Sequence, residues 1–110
     1  MLKSGLRIIL AAAGVAGVCG NAHAEVMTAG VVMEKMPANE RFAFWSGIIE
    51  GLAQARYVKD NKDPAGRACI YAWFYDEPNS RDKIREASLK YPDALTGQII
   101  GTLVAAKCGG

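Results

Sequence analysis

Three cysteines and one histidine are the side chains here best able to act as nucleophile, redox centre or metal ligand. Their placement takes most of that chemistry away. Cys19 and His23 fall in an N-terminal stretch laid out as a secretory signal. Lys3 and Arg7 give a positive start, Ile8 to Val18 an apolar run, and Ala22-His23-Ala24 the small residues a signal peptidase reads, with Glu25 just beyond. The run is shorter than the ~20 apolar residues that cross a bilayer. The expectation is a signal peptide of residues 1–24, cleaved after Ala24. A single periplasmic or secreted domain, 25–110, then remains, with no stable membrane span. The alternative is lipidation at Cys19, since Ala16-Gly17-Val18 resembles a lipoprotein box, although Val18 is larger than the small residue such a box carries.

After that cut, Cys69 and Cys108 remain. An even pair in a small exported domain reads as a disulfide, the alternative being two free buried thiols. Closing a loop of this length contributes about 4 kcal/mol in the chain-entropy account. No Cys-x-x-Cys spacing is present to activate a thiol. Without histidine there is no Ser-His-Asp or Cys-His arrangement and no imidazole-bound metal. The expectation is a non-enzyme with no cofactor and no metal. Glu50, between Ile49 and Gly51, is either a buried carboxylate of raised pKa or a partner for Arg56 or Lys107.

The elements that position these residues read as helices. The segment 26–36 is a short helix or an ordered arm. Asn39 and Glu40 suit the start of a helix running to about Val58, with Phe42, Trp45, Ile49 and Leu52 on one face, widened by Phe44 and Ile48. Asp63-Pro64 opens the next, Ala65 to Asp76, although Ile70 to Tyr75 also has strand propensity. Ser80 caps a charged helix to Lys90, with Ile84, Ala87 and Tyr91 on its apolar side. Asp82, Lys83, Arg85, Glu86 and Lys90 form a solvated face. Asp93 caps the last, Ala94 to about Lys107, with Leu95, Ile99, Leu103 and Ala106 as its seam. The fold class is all-α: a small four-helix bundle stapled by one disulfide and preceded by the leader.

Charge narrows the partners. The chain has 13 basic and 11 acidic residues; losing Lys3 and Arg7 brings the two counts level. That points away from nucleic acid and from a polybasic membrane contact. A protein partner fits better. Tyr71 and Tyr75, with Asp76 and Glu77 after them, are candidate contacts, since tyrosine anchors interfaces. Trp73 and Phe74 are expected in the core, Trp73 over the disulfide. Two ladders of small residues, Gly47-Gly51-Ala55 and Gly97-Gly101-Ala105, suggest close helix packing, within one chain or between two copies in a homodimer. Alternatively, they form a face that receives a partner's side chain.

These parts together resemble the Rap1a/Tai-type periplasmic immunity proteins. Trp45, Gly47 and Gly51 fill an aromatic-x-Gly-x-x-x-Gly stretch, Cys69 follows it, Pro92 precedes the final helix and Cys108 closes it. Where that family often carries a further cysteine pair, this chain has Met36 and Phe44. The resemblance implies neutralisation of a secreted toxin by surface occlusion. The chain is also similar, more loosely, to the HdeA acid-stress chaperones, which implies client binding at low pH. An accessory subunit of an envelope assembly is the third expectation.

Overall fold

The computed structural model describes residues 27–110, so the leader, Cys19 and His23 lie outside the described residues. Five helices follow in order: α1 (Ala29–Lys35), α2 (Ala38–Lys59), α3 (Ala65–Tyr71), α4 (Ser80–Lys90) and α5 (Thr96–Cys108). The last turn after α3 widens into a π-helix, Ala72–Asp76. Helices α2 to α5 make the bundle, and α1 packs against α4 and α5. Among the described residues none of the helices is long and apolar enough to cross a membrane.

The described chain starts clamped to the approach to α5. Thr28 forms an isolated antiparallel bridge with Leu95, and the Ala29 and Gly30 amides donate to the carbonyls of Ala94 (2.7 Å) and Pro92 (2.9 Å). The Thr28 hydroxyl caps α1 by accepting from the Val31 amide. Gly30 gives room there: a Cβ would stand a tight 3.0 Å from Pro92 Cβ and 3.1 Å from its carbonyl oxygen. Of the segment expected as a short helix or an ordered arm, Ala29–Lys35 is helical.

The expected caps move. Pro37 precedes α2, and Asn39 lies inside its first turn. The fixed φ of proline already sets the entry. Asp63 does act at the start of α3, its carboxylate accepting from the Ala65 amide at 3.0 Å. Ser80 does not cap α4; its hydroxyl turns back and donates to the carbonyls of Phe74 and Glu77, both at 3.1 Å, closing the preceding loop. Asp93 does not cap α5, which begins at Thr96; Gln98 reaches back to accept from the Leu95 amide at 3.2 Å.

Helix, not strand, is the outcome for Ile70 to Tyr75. Trp45, Ile49, Ala53, Ile70, Trp73, Phe74, Ile84, Ile100 and Val104 form one core. The buried seam of α5 is Thr96, Ile99, Ile100 and Val104, whereas Leu95 is exposed and Leu103 half-buried. The expected seam therefore sits to one side of the true one. Tyr91 is likewise exposed, and Ser88 is buried in its place, its hydroxyl satisfied by the Ile84 carbonyl. Asp82, Lys83, Arg85, Glu86 and Lys90 are exposed, and Asp82 pairs with Arg85 one turn on. Cys69 and Cys108 are joined, with an S–S distance of 2.04 Å and Cα atoms 5.9 Å apart, tying α3 to the end of α5.

Candidate functional site

α3 and its π turn run antiparallel along α2: Arg56 lies against Gly66, Glu50 by Tyr71, and Phe42 by Phe74. The π turn sets what faces where. It sends the adjacent Trp73 and Phe74 both into the core, and leaves Tyr71 and Tyr75 one turn apart on the outer side.

The outcome is a row of rings. Phe42 stacks on buried Phe74, centroids 5.6 Å apart at 22°. Tyr75 meets Phe74 edge-on at 4.9 Å and Phe42 at 6.5 Å. Tyr71 follows, 6.2 Å from Tyr75. The geometry is that of favourable aromatic pairs, yet Phe42 is 37% and Tyr75 41% exposed. Two arginines sit over rings at its borders, Arg81 at 5.2 Å from the Phe42 centroid and Arg67 at 4.0 Å from that of Tyr57.

Tyr71 donates its hydroxyl to Glu50 Oε2 at 2.7 Å. That bond holds the phenol above its ordinary titration range, with burial and the Glu50 charge acting the same way and Arg67 pulling against them. Glu50 is exposed and pairs with neither Arg56 nor Lys107, so both roles expected for it are corrected. Arg56 pairs with Asp60 at 2.7 Å and Lys107 with Glu77 at 3.0 Å. Of the four expected contacts, Tyr71 and Tyr75 share the ridge, Asp76 is exposed next to Tyr75 in sequence, and Glu77 turns to Lys107. Phe42, Glu50 and Arg81 belong to the ridge unforeseen. Their one signal in the sequence was that Phe42 and Glu50 stand two helical turns apart.

The glycine ladders do not mediate contact within the chain. A Cβ added at Gly47, Gly51, Gly97 or Gly101 would meet nothing within 4 Å, so the expectation of intrachain packing through them is corrected. An open groove of about 200 Å³ lies between α2, α3 and α5, lined by Leu52, Ala55, Arg56, Ile70, Gly101 and Val104 among others. The glycine that matters for α2 is Gly66. There a Cβ would fall 2.6 Å from Arg56 Nε, whose Nη1 also donates to the carbonyls of Cys108 (3.1 Å) and Gly109 (2.9 Å). Lys59 donates to the Gly110 backbone oxygen at 2.6 Å. Among the described residues, no group of three His, Cys, Asp or Glu side chains could hold a metal.

Compared with known proteins, the chain matches no family model, no curated protein and no solved structure. What the fold and the site define is a class: a disulfide-stapled all-α bundle carrying an exposed aromatic ridge.

Proposed function

We propose that this is an exported helical binding protein that neutralises a secreted toxin by covering part of its surface, through the ridge of Phe42, Tyr71 and Tyr75. The observation that carries the reading is that ridge: a row of partly exposed rings in edge-on and tilted contact, held on buried Phe74 of a disulfide-stapled scaffold. Large rigid rings give contact area at little entropic cost, and tyrosine is enriched where interfaces concentrate their energy. The sequence resemblance to periplasmic immunity proteins supports the toxin as the class of partner, and the Cys69–Cys108 bridge suits an oxidising compartment.

The test is co-expression with the toxin-like product of an adjacent gene, both carrying export signals. The expected outcome is growth protection and co-purification, both reduced by Tyr75→Ala. An absent toxin-like neighbour, or a toxin that kills regardless of this protein, would sink the immunity reading.

A further inference from the structure

The ridge is bordered by charge that is only half used. Its arginines are already placed on rings, Arg81 on Phe42 and Arg67 on Tyr57. The carboxylates of Glu50 and Asp76 are exposed, and neither pairs with a cation among the described residues. Glu50 does accept from Tyr71, which uses one of its acceptor positions and fixes the carboxylate at the ring edge. Tyr71 and Tyr75, tilted by 30° to each other, have no cation over them among the described residues. On α2, Ser46 lies one turn from both Phe42 and Glu50, and its buried hydroxyl has no hydrogen-bond partner among the described residues.

We propose that the Tyr71 and Tyr75 rings, with the Glu50 carboxylate held by Tyr71 and the exposed Asp76 next to Tyr75 in sequence, seat a basic side chain of the bound protein, arginine in preference to lysine. This rests on the ridge being the binding surface and adds the chemistry of what it binds. A guanidinium satisfies both halves of the site at once. Its face stacks on a phenol ring, and its edge donates two hydrogen bonds to a carboxylate. An ammonium does the second less well and cannot stack. The chain twice uses the same arrangement internally, with arginine lying on a ring, along this very face. The partner's surface should therefore present an exposed arginine among apolar residues that cover Phe42.

The experiment titrates the oxidised protein with fluorescein-labelled octa-arginine, octa-lysine and octa-glutamate peptides, read by anisotropy at constant salt. Octa-arginine should bind most tightly, octa-lysine less so and octa-glutamate least. Glu50→Gln and Tyr75→Leu should each weaken octa-arginine binding by about three- to fivefold, in line with exposed pairs of this kind. Glu50→Gln keeps an acceptor for Tyr71, so an unchanged melting curve checks that the fold is intact. Glu86→Gln, on the solvated face of α4, should leave binding unchanged. The proposal is overturned if octa-arginine does not bind, if it binds no better than octa-lysine, or if Glu86→Gln weakens binding as much as Glu50→Gln. Toxin capture that survives while the octa-arginine arm fails removes only the basic seat. Loss of capture with that arm intact removes the immunity reading instead.

Discussion

Gly66 and Gly51 are both glycines inside helices, and replacing each with alanine should have opposite effects. At Gly66 the new methyl would strike Arg56, which cannot swing aside without breaking its bonds to Asp60, Cys108 and Gly109. Gly66→Ala should cost about 1–3 kcal/mol, as overpacking does. At Gly51 the methyl meets nothing, so Gly51→Ala should stabilise by about 0.5–1 kcal/mol through helix propensity alone. Urea titration of the two variants checks both signs. A stabilising Gly51→Ala that also weakens toxin capture would show that the ladder serves a surface outside this chain. Tyr71 offers a pH test. Its phenol is held above the ordinary value by its bond to Glu50, so the unfolded chain ionises first as pH rises. The stabilisation is full below the unfolded pKa and is lost as pH climbs through the folded one. Urea midpoints across the alkaline range should fall more steeply for the native protein than for Tyr71→Phe; parallel curves would refute the linkage.

At the scale of the element, the turn between α2 and α3 is the strained one. Asn61 and Lys62 both have positive φ, 54° and 67°, and the Lys62 amide closes the helix by donating to Tyr57 O at 2.9 Å. Asparagine tolerates that region better than lysine does, so Lys62 carries the greater cost. Lys62→Gly should therefore stabilise by about 0.5–1 kcal/mol, the relief of the left-handed conformation less the extra freedom of glycine when unfolded. A thermal melt that falls instead would show a role for the lysine side chain. The helices themselves were legible, because on α2 Trp45, Ile49 and Leu52 recur at three- and four-residue steps that a helix puts on one face. The caps were less so. Ser80 satisfied the local rule but its hydroxyl is used by a loop carbonyl, and Asn39 and Asp93 yielded to neighbouring prolines and to Gln98. The ridge was half legible: Tyr71 and Tyr75 fall off the apolar stripe, whereas Phe42 keeps its spacing and so resembles core. Arg56 could not be read at all, because its carbonyl partners are 52 and 53 residues away in sequence. Glu50 faces water because of where α3 lies, which its neighbours Ile49 and Gly51 do not encode.

For the whole molecule, stability and location are one question. The bridge closes 39 residues of sequence between α3 and the end of α5, and in the chain-entropy account that contributes about 4 kcal/mol. Small domains have only about 5–15 kcal/mol in total, so this tie is a large share of what keeps the bundle closed. Cys108→Ser should lower stability by about that amount and shorten survival under protease, while leaving the ridge contacts, which do not involve α5, intact in whatever fraction stays folded. Arg56→Met should act on the same end through its two lost carbonyl bonds, and less severely, because the covalent tie persists. The bridge forms and lasts only where the surroundings oxidise thiols. A folded, working protein is then expected to be recovered from cells as residues 25–110, with Cys69 and Cys108 inaccessible to alkylation until a reductant is added. Were it recovered with Met1 attached and both thiols free, yet as stable as the oxidised form, the bundle would be held by its core alone and the argument for an exported binding protein would lose its physical basis.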